Sequence, residues 1–447
     1  MKTRIVSYGL SFVMILCNAA AFAAGIYENA NQSAEFIRTL TRYASTETDS
    51  AFYNPAGSAF MSEGLHLYFS DQMIFNFQII TDSSPVLSGY SYPDEYNGDV
   101  TAWFFPDLYA LYKAGGWSAF LHLGIIGRGA IAEYRSATPA IHKAVIGYAS
   151  AVAAGLSGTL SSISTEGDLE AYSYSTGATA GGAYRLNNMF AIGGGIRYIH
   201  AEQNTHLKYR FNSVMMNGTA DITAYFSNID VDVSARGDSA GFIGGFDIRP
   251  SGGMNAGFRY EYYTTMKVTN AKPEKYEGDA AFLAMFPLDK GDYVKTTLPM
   301  NAAGGISYMV LPQLKAEIGF IYYFNRLTDW GKDSSGKDIA DKYKNGYDAS
   351  ASLEYIFVRR LRASIGYSHS VSGVTPETRS YDRTGLDSDA FAMGGRWTFH
   401  EGLDLTVSAL VAFFRDTAEP NIAPDSGSTE YKEIVCNFAA GISYSIR

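Results

Sequence analysis

Cysteine is nearly missing from this chain: Cys17 and Cys436 are the two in 447 residues. That rules out a disulfide-stapled scaffold and any cysteine-built metal centre. Histidine is also scarce, at 7, and shows no metal-ligand spacing, so no cofactor or metal is expected. Charged residues make up 18%, and acids outnumber bases to a formal charge of -10, which argues against a nucleic-acid partner. No long, strongly apolar run exists, and the mean hydropathy of -0.08 excludes a bundle of membrane helices. The longest uncharged stretch of the later chain, Ala144 to Thr165, is rich in Ala, Gly, Ser and Thr. Its transfer into lipid would be weak, so it reads as a loop helix packed against protein. Tryptophan is rare at 4, but there are 33 Tyr and 45 Gly. Tyrosine and glycine together suit twisted strands with an aromatic girdle.

The N-terminus carries Lys2 and Arg4, an apolar stretch from Ile5 to Cys17, and Ala21-Phe22-Ala23. The stretch is too short to span a bilayer, and the small-x-small triplet predicts a signal peptide over residues 1–23. Leu16 is a poor residue ahead of a lipidated cysteine, which argues against a lipoprotein at Cys17.

From Gly64 onward the apolar period is two. In "LKAEIGFIYYF", Leu314, Ala316, Ile318, Phe320, Tyr322 and Phe324 share one face, with Lys315, Glu317 and Gly319 on the other. "LRASIGY" and "MNAGFRYEY" repeat the pattern. A soluble sandwich could carry the same alternation; the connections decide. Fourteen strand candidates are joined alternately by short turns, such as Gly115-Gly116 and Leu311-Pro312-Gln313, and by long loops, such as 130–168 and 268–292. An even strand count, one short-turn end, one long-loop end and a signal peptide predict an all-β, 14-stranded antiparallel transmembrane β-barrel over residues 64–447 in the outer membrane. Two irregularities stand out. Pro106 interrupts strand 2, which predicts a kink or gap in the wall. In strand 6 the apolar parity changes near Arg236-Gly237, which predicts a bulge there.

Residues 24–63 are too few for a domain and too apolar for a solvated tail. They fit inside the barrel as a plug, with Asn54-Pro55-Ala56-Gly57 as a turn within it. A periplasmic extension is the alternative. "RYASTETDSAFYNPAGSAFM" (Arg42–Met61), followed at once by a strand, resembles the N-terminal hatch of the FadL family of outer-membrane transporters for long-chain fatty acids and other hydrophobic compounds. "FPDLYALYKAGGWSAFLHLGIIGRG" (Phe105–Gly129), "AYRLNNMFAIGGGIRYIHAE" (Ala183–Glu202) and "TTLPMNAAGGISY" (Thr296–Tyr308) resemble that family's strands in the same order. The 130–168 loop is longer than the family pattern, and the chain ends Tyr-Ser-Ile-Arg rather than in an aromatic. The resemblance implies a monomer among outer-membrane lipids that captures a ligand at its outer loops. The ligand would then pass a hatch including Asn54, Pro55 and Ala56, and leave laterally at the Pro106 kink.

Parity places Arg128, Arg197, Arg259, Glu261, Lys315, Glu317, Glu354, Arg362, Arg396 and Asp404 inside the barrel, most of them paired with one another. One or two of the cations are expected to meet a fatty-acid carboxylate through a bidentate fork. The candidate ligand wall is Phe120, His122, Ile126 and Arg128 on strand 3, with Arg197 and Arg259. Phe282 and Phe286, in the apolar loop "GDAAFLAMFPL", read as a capture groove or as packing onto the 139–165 loop. "YSHSVSG" offers no nucleophile sharing a face with His369, so no catalytic residue and no enzyme is expected. The rival functions are a loop-displaying interaction protein, adhesin-like, and a general porin.

Overall fold

The computed structural model of the chain describes residues 32–270, 273–283, 293–333, 335–379, 384–420 and 427–446. The expected signal peptide and residues 24–31 lie outside them. The wall is a closed antiparallel barrel of fourteen strands. These are β1 (Gly64–Asp82), β2 in two pieces (Glu95–Ala102 and Pro106–Ala114), β3 (Trp117–Tyr134), β4 (Leu160–Arg185), β5 (Phe190–Met216), β6 (Ile229–Ile248) and β7 (Met254–Tyr263, extended by Met266–Asn270). They continue as β8 (Tyr293–Thr296 and Asn301–Leu311), β9 (Leu314–Tyr323), β10 (Gly346–Val358), β11 (Leu361–Val371), β12 (Ser388–His400), β13 (Leu403–Phe414, extended by Thr417–Pro420) and β14 (Ser428–Ile446). β14 closes on β1 from Leu65 opposite Ile446 to Asp82 opposite Thr429, so the sheet has no free edge there.

Alternation puts large apolar side chains outside. Phe69, Ile196, Ile318, Ile365, Met393 and Ile442 are exposed on the outer face of their strands. A closed barrel with such a belt is an outer-membrane protein, because only lipid satisfies the belt and only closure satisfies the backbone. No helix of the described residues is long and apolar enough to cross a membrane; the crossing is made by strands.

β4, β5 and β6 run on beyond the belt. On β5 the outward residues change from Ile196 and Tyr198 to His200, Glu202, Asn204, His206 and Lys208. That change marks the membrane surface. Above it the inward face turns apolar, with Leu207, Tyr209 and Phe211 on β5 and Val231 and Val233 on β6. This corrects the bulge expected near Arg236-Gly237. The β5–β6 ladder runs from Phe190 opposite Ile248 to Tyr209 opposite Ile229 without a register shift. The apolar face switches because the solvent switches, from lipid outside the lower wall to water outside the upper one.

Helices are few: α1 (Ala34–Ile37) and α2 (Ser50–Tyr53) lie inside, and α3 (Pro85–Ser88), α4 (Pro139–Gly155) and α5 (Ala280–Leu283) lie on the long-loop side. α4 is apolar nearly all round and is buried accordingly. Its Ile141 and Val145 share one core with Leu169, Leu207 and Val231. Lys143 Nζ reaches Asp82 Oδ2 at 2.8 Å, both buried.

Residues 32–60 are almost wholly buried within the wall. Inward glycines seat them. A Cβ on Gly394 would stand 2.5 Å from Arg38 Cβ, one on Gly366 2.4 Å from the Thr39 carbonyl oxygen, and one on Gly319 2.2 Å from Thr41 Oγ1. Gly305 faces Tyr43 and Ala44, Gly257 faces the Tyr43 carbonyl, and Gly193 faces Pro55 and Ala56. The inner segment thus lies along a glycine track that crosses β12, β11, β9, β8, β7 and β5. Ion pairs lock the same side. Arg38 meets Glu35 at 2.7 Å and also Glu354, Arg42 meets Asp49 and Glu47 at 2.6 Å each, and Arg396 meets Glu47 at 2.8 Å.

Candidate functional site

The site begins at the break in β2. Ala102 lies opposite Ile74 and Pro106 opposite Asp71, so four residues of β2 span three of β1. Proline cannot continue the ladder. The Phe105 N–H freed by the break donates to Asp71 Oδ1 at 2.8 Å. Trp103 and Phe104 are pushed outward, 68% and 66% exposed. The lower piece of β2 pairs with β3 from Asp107 opposite Gly124 to Ala114 opposite Trp117. Beyond Gly124, β3 pairs with β4 alone, with register shifts at Ile125–Gly127 and Gly127–Ala130. Among the described residues no ladder joins Glu95–Ala102 to β3. The wall carries a seam there. Tyr134 closes it: its ring lies so near Gly98 that a Cβ there would meet Cζ at 2.6 Å, and its hydroxyl donates to Gln78 Oε1 at 2.9 Å.

Inside, next to the break, β3 presents Phe120, His122 and Ile126, all buried. His122 Nε2 stands 3.2 Å from Asp107 Oδ1, and its ring meets those of Tyr109 at 4.6 Å and Phe52 at 5.1 Å. Two strands along the same wall, Arg197 Nη1 reaches Glu261 Oε2 at 3.1 Å and donates to the Tyr263 hydroxyl at 2.7 Å, while Nε donates to Thr179 Oγ1 at 2.8 Å. Arg259 Nε lies 3.2 Å from the other oxygen of the same carboxylate. Its Nη1 donates to the Phe52 carbonyl oxygen at 2.7 Å. The ion pairs of both guanidiniums, among the described residues, end on the single carboxylate of Glu261. The trio therefore holds one excess positive charge in a buried place. Arg197 Nη2 has no hydrogen-bond partner there among the described residues. Beside the trio is a cavity of about 40 Å³ whose lining includes Phe52, Ile126, Leu298 and Ile321, room for a few waters. Asn54 and Asn255 both donate to Asp247, which ties the inner segment's turn to β6 and β7.

The sequence-derived residues divide. The structure brings Phe120, His122, Ile126, Arg197 and Arg259 to one wall. The Arg128 side chain and Phe286 lie outside the described residues. Phe282 is fully buried and meets Tyr148 of α4 edge-on at 5.3 Å, so it packs onto the neighbouring loop. Asn54, Pro55 and Ala56 stand inside the barrel, where Pro55–Phe60 form a 3-10 turn. Lys315, Glu317, Glu354, Arg362, Arg396 and Asp404 pair with one another or with the inner segment. Tyr263 and Phe52 were missed. Tyr263 continues the inward parity of Arg259 and Glu261 and was legible; Phe52 carried no signal of its own. His369 pairs with Asp389 at 2.9 Å, with Ser368 and Ser370 on the opposite face. Among the described residues no group of three His, Cys, Asp or Glu could hold a metal ion.

No family model matches the chain, and no curated protein matches it. Solved structures do. A Pseudomonas aeruginosa FadL homologue superposes with a TM-score of 0.66 at 13% identity, over 96% of this chain and 100% of that one. The chain has the FadL fold. Two further structures share that fold. The P. putida toluene transporter TodX gives a TM-score of 0.59 at 12% identity, over 90% of this chain and 94% of its own. The Ralstonia pickettii toluene transporter TbuX gives 0.55 at 10%, over the same shares. At these identities the likeness concerns the fold, and the side chains of the site must be argued for this chain alone.

Proposed function

We propose that the protein carries hydrophobic acids, such as long-chain fatty acids, through the outer membrane as a monomer. The observation that supports this reading is the charge of the site: Arg197 and Arg259 share one carboxylate, Glu261, between apolar walls. A carboxylate head satisfies the excess charge with charge-assisted bonds, and Ile126, Leu298 and Ile321 receive the chain. The ligand enters from the long-loop side, passes the inner segment acting as a hatch, and leaves sideways at the seam between β2 and β3. The fold shared with two toluene transporters supports hydrophobic cargo in general. The buried inner segment argues against an open porin.

The test is a binding titration of the mature protein in mild detergent with oleic acid and oleyl alcohol. The acid is expected to bind more tightly than the alcohol. Arg197→Met, which neutralises the trio, should weaken the acid roughly tenfold to a hundredfold, the worth of a bond to a charged group. Glu261→Gln should move the acid the other way. Equal binding of acid and alcohol, unmoved by either variant, would turn the reading toward uncharged cargo.

A further inference from the structure

We infer that Phe52 is a built-in occupant of this seat, and that a ligand must carry an acceptor head to displace it. The inference rests on the acid-binding reading above and adds to it what the site does when no ligand is bound.

Phe52 supplies both features of a hydrophobic acid from one residue. Its carbonyl oxygen takes the Arg259 Nη1 donor at 2.7 Å. Its ring covers Arg197, with the guanidinium carbon 4.4 Å from the ring centre, and stands 5.7 Å from Arg259. The same ring lines the small cavity beside Ile126 and Leu298. At about 40 Å³ the cavity has room for a few waters and far too little for an acyl chain, so no chain enters until the ring moves.

The surroundings confine that movement to one turn. Before it, Arg42 grips Asp49 at 2.6 Å. After it, Asn54 donates to the Ser45 carbonyl at 3.0 Å and also to Asp247. Further back, the glycine track holds Arg38 to Ala44 against the wall. Between these anchors α2 is a single turn, Ser50–Tyr53, and Ser50 Oγ has no partner among the described residues.

Displacement then selects the ligand. A carboxylate puts an ionised acceptor where Arg259 has a neutral carbonyl and Arg197 a ring face, so both guanidiniums then meet a negative charge. A plain hydrocarbon that pushed Phe52 aside would leave the buried Arg259 Nη1 without an acceptor, with only the Glu261 pair at Nε and the Asn301 contact at Nη2 remaining. That selects for acids without any direct clash against hydrocarbons.

The experiment is a titration of the full mature protein with oleic acid and with hexadecane, for the unaltered chain, Phe52→Ala, Phe52→Leu and Arg197→Met. Removing the ring should tighten oleic acid at least tenfold, with Phe52→Leu intermediate, and should admit hexadecane. In parallel, 4-fluorophenylalanine at position 52 gives a fluorine resonance that should shift with oleic acid and stay put with hexadecane. If Arg197→Met weakens oleic acid while Phe52→Ala and Phe52→Leu leave it unchanged or weaker, or if the resonance ignores oleic acid, the Phe52 inference is overturned and the acid reading stands. If Arg197→Met leaves oleic acid unmoved, the acid reading itself fails.

Discussion

Gly366→Ala is a one-carbon change whose effect follows from the geometry. The added Cβ would stand 2.4 Å from the Thr39 carbonyl oxygen and 2.5 Å from its carbonyl carbon. Ordinary contact lies about 1 Å further out, and both partners are backbone, so no side-chain rotation relieves the clash. β11 cannot retreat, because it is laddered to β10 and β12. The inner segment has to yield. Overpacking of this kind costs about 1–3 kcal/mol. Placed on local opening, that raises amide exchange of the segment roughly 5- to 150-fold. The assay is hydrogen exchange by mass spectrometry on peptides covering residues 32–44, with the heat-modified gel shift reporting an intact barrel. Gly395→Ala is the control: it sits next to the track but faces outward, and its Cβ would meet nothing nearer than 3.4 Å. If exchange over 32–44 is the same in Gly366→Ala as in Gly395→Ala, the seating argument is wrong.

Two predictions concern α4. Lys143→Met removes the cation from buried Asp82, which otherwise also accepts from Thr429 Oγ1 at 3.1 Å. Breaking a buried pair from one side costs about 3–5 kcal/mol, so residues 139–155 should become protease-sensitive on whole cells, and Asp82→Leu added to Lys143→Met should restore much of the protection. His142 donates from Nε2 to the Ser136 carbonyl at 2.6 Å, so its Nδ1 accepts from the Tyr209 hydroxyl at 2.6 Å. Burial among Tyr92, Tyr96 and Tyr209 pushes its pKa down to about 4, against an ordinary value of 6.5. The undocked helix therefore takes up the proton first. Docking is at full strength above about pH 6.5 and weakens as pH falls toward 4, by about 3 kcal/mol in all. Exchange of residues 139–155 should rise over that window, and His142→Gln should flatten the profile.

The barrel was legible because lipid and lumen demand different residues at successive positions. Ile318 and Phe320 against Glu317 and Gly319 carry that contrast in four letters. Pro106 was equally plain, since a missing N–H has one consequence wherever it falls in a ladder. The parity change in β6 was visible but misjudged. Val231 and Phe242 face opposite sides because water replaces lipid halfway along the strand, and that boundary shows in the outward residues of the neighbouring strand, from Tyr198 to His200, and not in the inward apolar ones. The inward ionic cluster was legible through parity at Arg197 and Arg259. Phe52 was not, because its role comes from where a loose segment lands against strands far away in sequence. The inward glycines carried the same hidden information: alternation marks Gly366 and Gly305 as small, and only the assembled chain reveals what leans on them.

The upward run of β4 to β6 makes the protein lopsided. From His200 to Met216 the chain has about 50 Å of strand beyond the level where lipid-facing residues stop. It ends in a tight tip at Asn217 and Gly218, both in left-handed backbone. Its outer side is hydrophilic and its inner side leans over α4. The mouth is therefore screened on the flank of β4 to β6. A phage or an antibody arriving from outside touches the Asn217–Gly218 tip well before it nears the mouth. Immune or viral pressure would then fall on residues far from the Arg197, Arg259 and Glu261 cluster.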